Sequence, residues 1–402
     1  MDKICVLKNP IQEYAWGSTT FIPQLTGEID SADKPQAELW MGTHPNAPSQ
    51  VLWGGQWISL AKLIQKNPEG ILGKAVAEKF SNKLPFLFKV LATAKPLSIQ
   101  AHPNQNQARE GFTRENRLKI PLTAPHRNYK DQNHKPELIC ALTPFWALKG
   151  LRKIEDILEF VDRIASPTLE QELVKLREQS HGERLKSFFS TLLTLEERQK
   201  SKIVAEVIVN SQKYSDADPA FEWMIKLNRE YPDDIGVLSP IFLNLVELQQ
   251  GEAMFIPAGE LHAYLEGAGI ELMANSDNVL RGGLTAKHTD APDLLRILNF
   301  TYTKVEILRP TDKENGERIY PTAAEEFVLS VISLREGHPF KSSRNRSVEM
   351  MICIDGEAQV TDLSRGDILR LTKGISIIVP ATVHQYEIEG KATIYKASVP
   401  PR

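Results

Sequence analysis

The sequence predicts a mainly β fold interrupted by a block of helices, and three observations carry that expectation. Short apolar runs bounded by turn residues occupy both ends of the chain, an apolar stripe of helical period appears in the middle, and one strand-and-corner pattern occurs twice. At 402 residues the chain exceeds what one hydrophobic core ordinarily supports, so two or three domains are expected.

Residues 1–150 read as strands and loops, with buried strands expected at 84–90 and 138–142 between turns rich in Pro, Asn, Gly and His. The period then changes. Ile154, Ile157, Leu158 and Val161 fall at i, i+3, i+4 and i+7, the stripe of an amphipathic helix. Ser166-Pro167 and Asp218-Pro219 each place a capping residue before a proline at the first helical position. Thr194 and Glu197 have the spacing of a capping box. A helical insertion is therefore expected over 151–235, with its mixed charges on solvated faces.

Strand character returns at 241–248, so 1–150 and 236–310 are expected to form one discontinuous β domain. The polar run 311–317 reads as a linker into a smaller β domain at 318–402, in which Asp355-Gly356 signals a hairpin. The repeat links the two β regions. Residues 251–262 and 374–384 both run from glycine through an apolar strand to a Pro-Ala corner and a histidine, with one residue fewer in the second copy. That is the pattern of cupin-type jelly rolls, here in two related copies.

Composition excludes several function classes. With 48 basic against 51 acidic residues the net charge is -3, which gives no reason to expect nucleic acid or an anionic membrane as partner. Cys5, Cys140 and Cys353 lie far apart and offer neither a disulfide framework nor a thiolate metal site. The apolar stretch at the N-terminus is too short for a signal peptide, and no segment has the roughly 20 apolar residues needed to cross a bilayer. A soluble, cytoplasmic, monomeric protein is expected.

With nine histidines in the chain, their positions are informative. Gln100 and His102 sit two apart, and on a strand that points both side chains to one face. In His134-Lys135-Pro136-Glu137 a carboxylate and a lysine stand at the mouth of an apolar strand, with Pro136 at a position that can spare its donor. His262 follows the Pro-Ala corner. Each piece alone is compatible with ordinary structure: a polar strand end, an ion-paired turn, a core histidine. Together they supply imidazoles, a carboxylate and an amide carbonyl suited to zinc. Two His, one Glu and one neutral amide leave such a site near +1, able to polarise a substrate oxygen. His384 has no comparable neighbours in sequence, so no second metal is expected there.

The chain resembles the type I phosphomannose isomerases in segments 14–17, 37–45, 84–89, 97–103, 134–137, 256–262 and 275–285, in the family's order. The resemblance implies one zinc per chain, bound by Gln100, His102, Glu137 and His262. It implies that Arg281 and Lys135 face the substrate, and that Trp16, Glu38, Lys89 and Ser98 line the pocket. The activity implied is interconversion of mannose 6-phosphate and fructose 6-phosphate through an enediol. Such chemistry needs a base near the C–H bonds and charge stabilisation at two oxygens. Lys135 is the first choice of base, since a lysine beside a metal and apolar strands is placed for a depressed pKa; Asp277 and His134 are alternatives. Arg281, Lys89 and Ser98 are candidates for the phosphate. Two rival readings are a non-haem iron dioxygenase using His102, Glu137 and His262, and a non-catalytic sugar-phosphate sensor.

Overall fold

The computed structural model describes residues 1–28, 34–178 and 184–400. Among them the strands form two sheets, one of ten strands and one of eleven. The centre of the ten-stranded sheet is the long strand His262–Ala274, which changes partners midway. Residues 262–266 pair with Phe145–Leu151, whereas 267–274 pair with Phe86–Thr93 and, over 269–273, with Glu137–Ala141. Gly267 makes the switch possible. Its φ is +125°, and a Cβ there would lie 2.6 Å from the Pro144 carbonyl oxygen.

Alternation along these strands fills the barrel interior in a graded way. Ile139, Ala141, Phe145, Ala147 and Tyr264 share one apolar cluster with Val246, Leu248 and Met254. The next positions on the same faces are Glu137, Lys149 and His262, so the barrel passes from an apolar end to a polar one.

The helices cover another face of this sheet. Ile154–Ile164 buries Ile157, Val161 and Ile164, as its stripe predicts, and packs with Phe188, Val204, Met224, Leu148 and Leu265 in a shared core. Ser166 Oγ accepts from Leu169 N, and Asp218 caps Pro219–Glu230 through Ala220 N. The expected capping box at Thr194 does not form. Thr194 ends the preceding helix, where its hydroxyl donates to the Ser190 carbonyl, and the next helix begins at Glu197 without a side-chain cap. The strand expected at 241 starts at Leu243, because Ser239-Pro240 opens one more helical turn. The N-terminal 150 residues also hold helices not anticipated. Gln105–Arg117 is the longest, closed by a capping box between Asn104 and Gln107.

The eleven-stranded sheet holds the C-terminal region, and Cys5–Lys8 completes it by pairing with Ser376–Val379 and Gln50–Trp53. Two local expectations are corrected here. The polar run 311–317 is a hairpin in which Thr311 pairs with Ile319, because Gly316 takes a φ of +83° in its turn. Asp355-Gly356 is not a hairpin turn; it lies inside the strand Glu349–Asp362, where Gly356 follows a register shift between Cys353 and Asp355. A positive-φ glycine serves a bulge as well as a turn, and Asp-Gly alone does not distinguish them.

The repeat has a structural counterpart. Gly251 and Gly374 both take left-handed φ, each precedes a four-residue strand, and each copy continues into a thirteen-residue strand, His262–Ala274 or Tyr386–Ser398. The copies differ at the histidine, which is buried at 262 and exposed at 384. Met351, Cys353, Ile377, Ile388 and Ile394 fill the C-terminal barrel. Its other face shares a core with the first sheet, from Phe88, Leu138 and Ile270 to Tyr320, Met350 and Ile378.

Candidate active site

Three strands bring the polar end of the first barrel together. Cα pairing sets Gln100 of Ile99–Ala101 opposite His262 on one side and Arg281 of Leu280–Gly283 on the other. Residues directly opposite across antiparallel strands face the same way, so these three form one row. Glu137 opens the neighbouring strand Glu137–Ala141 and pairs with Ile256 and Met273.

His102, Glu137 and His262, all buried, offer donor atoms within 4.8 Å of one another. The second nitrogens decide the tautomers. His102 Nδ1 lies 2.8 Å from the Asn278 carbonyl oxygen, and His262 Nδ1 lies 3.1 Å from that of Glu260. A carbonyl can only accept, so each Nδ1 carries the proton and each Nε2 turns a lone pair inward. Those Nε2 atoms stand 3.2 and 3.3 Å from the two Glu137 oxygens. His102 Nε2 is nonetheless buried without a hydrogen bond. An orphaned lone pair beside a carboxylate suits a shared cation better than a direct contact.

The electrostatics agree. Burial, then the Lys135 ammonium, pushes His102 down to about 4, keeping it neutral. Burial raises the Glu137 carboxyl, but the Lys135 ammonium beside it outweighs that and holds it well below the usual range. Neutral imidazoles and an ionised carboxylate are the forms a divalent metal requires. Gln100 Nε2 donates to Ser98 Oγ at 3.3 Å, which leaves its carbonyl oxygen free of that contact.

The remaining sequence-derived candidates fall into two groups. Lys135 is buried and places Nζ 2.8 Å from Glu137 Oε1. Arg281 is half-buried on the row with Gln100 and has no ion-pair partner among the described residues; burial lowers its pKa. Trp16 packs on the barrel cluster and stacks with Tyr14 at 5.6 Å. Other candidates are engaged elsewhere. His134 Nε2 is 2.7 Å from Glu326, and Asp277 is 3.0 Å from His44. Lys89 Nζ is 2.7 Å from Glu271 and 3.5 Å from Glu38, which also accepts from Trp40 Nε1. Burial opposes the Lys89 charge, but those two carboxylates hold its pKa well above the ordinary value.

The structure adds residues that sequence reasoning missed. Tyr264 lies two residues after His262 on the same strand face, with its hydroxyl 3.5 Å from Glu137 Oε2; strand alternation could have found it. Lys287 is exposed, and partial desolvation, then Arg281 and Lys130, disfavour its charge. Neither Arg281 nor Lys287 has a carboxylate partner among the described residues, whereas Lys130 acts on Asp277. Nothing in the local sequence singles out Lys287.

Family models match three stretches of the chain. The phosphomannose isomerase type I catalytic domain matches residues 4–154, its helical insertion domain matches 163–243, and the mannose-6-phosphate isomerase cupin domain matches 317–399. The mannose-6-phosphate isomerase of Shigella flexneri is 38% identical over 386 residues, covering 96% of each chain. That of Salmonella typhimurium is 41% identical over 358 residues, covering 88% of this chain and 89% of the relative. The crystal structure of mannose 6-phosphate isomerase from Salmonella typhimurium, bound to its substrate fructose 6-phosphate and zinc, aligns with a TM-score of 0.91 at 36% identity over 99% of both chains. Barrel, helical insertion, second barrel and sequence thus agree throughout, and the chain belongs to the type I phosphomannose isomerase family.

Proposed function

We propose that this protein is a zinc-dependent isomerase that interconverts mannose 6-phosphate and fructose 6-phosphate. The observation that carries the reading is the convergence of two inward Nε2 lone pairs and an ionised carboxylate beside a buried lysine. His102, Glu137 and His262 would hold the ion, with the Gln100 carbonyl as fourth donor. Bound there, zinc would supply Lewis-acid polarisation of a sugar oxygen.

The chain's own residues do the rest. Lys135 moves the proton, taking it from C2 of the aldose and returning it to C1, the reverse holding for the ketose. It is the candidate base nearest the donor set, since His134 and Asp277 direct their polar atoms to Glu326 and His44. Arg281 holds anionic oxygen as a fixed cation. Arg281, Lys287 and Lys130 together form a cationic patch suited to a phosphate dianion. Lys89, Glu38 and Glu271 stiffen the wall behind Glu137.

The test is conversion of mannose 6-phosphate to fructose 6-phosphate before and after chelation, with zinc restored and His262→Ala as control. Activity that disappears with chelator, returns with zinc and is missing in the variant is expected. A folded, zinc-loaded protein that converts nothing would overturn the reading.

A further inference from the structure

We propose that Glu326, from the C-terminal barrel, is a positioning residue for the metal centre of the first barrel. The kinetic part of this proposal rests on the isomerase reading above; the metal-binding part does not. Glu326 Oε1 is 2.7 Å from His134 Nε2, and the pair is partly buried. Burial raises the Glu326 carboxyl, but the His134 hydrogen bond and charge hold it below the usual range. The loop that presents it is anchored on both sides, with Ala324 and Phe327 buried in the core the two barrels share.

What Glu326 grips is the segment that carries the chemistry. Lys135 follows His134 directly, and Glu137 lies three residues on. Between them Pro136 has a fixed φ, and its carbonyl accepts from Ala274 N. His134 therefore acts as a handle on a stiff tetrapeptide. The opposite side is held by Asn133, whose carbonyl accepts from Asn278 Nδ2 at 2.9 Å.

The far end of the same strand is held by the C-terminal barrel too. Cys140 Sγ contacts the Tyr320 hydroxyl at 3.2 Å, and that hydroxyl donates to the Gly251 carbonyl at 2.9 Å. The segment leading into strand Glu137–Ala141 is thus gripped by Glu326, and the strand itself near its end by Tyr320. The second barrel has a task at the first barrel's site.

Glu326→Ala, the isosteric Glu326→Gln, His134→Ala and the Glu326→Ala/His134→Ala pair test this. Zinc affinity is measured by competition with a chromogenic chelator, alongside kcat, KM and the thermal midpoint. Glu326→Ala is expected to weaken zinc on the order of tenfold, as loss of outer-shell support does. It should lower kcat similarly with KM changed less than about twofold, because only the reacting groups shift. Glu326→Gln, which keeps an acceptor oxygen, should fall between. In the His134→Ala background Glu326→Ala should add nothing. Unchanged zinc affinity and kcat in Glu326→Ala, or two effects that multiply in the pair, would overturn the proposal. If the wild type binds zinc but isomerises nothing, the functional reading fails while the zinc titrations still decide this one.

Discussion

The Nδ1 proton of His102 is donated to the backbone carbonyl of Asn278, 2.8 Å away, so a residue outside the cluster of His102, Glu137 and His262 sets the orientation of one of its members. That carbonyl is itself held by the Asn278 side chain. Its Oδ1 accepts from Lys130 N at 2.7 Å, and its Nδ2 donates to the Asp131 and Asn133 carbonyls, both at 2.9 Å. Asn278→Ala is expected to leave the fold intact yet weaken zinc binding by about 10- to 100-fold. Competition titration of the purified variant against a chelator measures this.

Lys89 is the sole cation within 4.0 Å of Glu38 and Glu271 among the described residues. Lys89→Met would leave two carboxylates buried without a cation, costing about 3–5 kcal/mol in urea unfolding. Adding Glu271→Gln should recover a large part of that loss. A variant with wild-type stability would mean that the carboxylates find other partners.

Lys287 has a different signature, a cation without a carboxylate beside two others. Lys287→Met should raise KM for the sugar phosphate by about tenfold, the worth of one charge-assisted hydrogen bond, with kcat little changed. The wild-type KM should also rise with ionic strength, more steeply than the variant's.

Acid sensitivity should arise in the C-terminal barrel. Burial raises Glu349, but Lys396 and Arg346 outweigh it and bring the carboxyl from 4.5 to about 2. A depressed carboxylate contributes stability that is present above its unfolded value and is lost as pH falls through the folded one. The shift corresponds to about 3 kcal/mol. Wild-type stability should therefore drop between about pH 4.5 and pH 2. Glu349→Gln should be less stable at pH 7 and show a shallower acid limb, measured by denaturant unfolding across that range.

The cluster of His102, Glu137 and His262 was legible because such side chains are few and stand at short, recognisable spacings: a His just past a strand end, a Glu at a strand mouth, a His after a corner. Fold class and most helix starts were legible for a similar reason, being written in local period and local caps. What escaped depends on tertiary approach. Thr194 has the right neighbour at 197, yet the preceding helix extends far enough to claim its hydroxyl. Glu326 and His134 are 192 residues apart, and neither sequence neighbourhood refers to the other. Lys287 acquires meaning only when the fold sets it near Arg281 and Lys130.

The partner switch at Gly267 has a consequence for how the protein is made. His102 and Glu137 leave the ribosome early, whereas His262 and the strand that collects their neighbours follow only after the helical insertion. Until then the strands Phe86–Thr93 and Glu137–Ala141 lack the neighbour that separates them, and their apolar edges stand open. Closing so long a loop costs conformational entropy before any contact repays it. A nascent chain stalled before residue 262 should therefore depend on chaperones, and zinc uptake should mark the moment at which the first barrel closes.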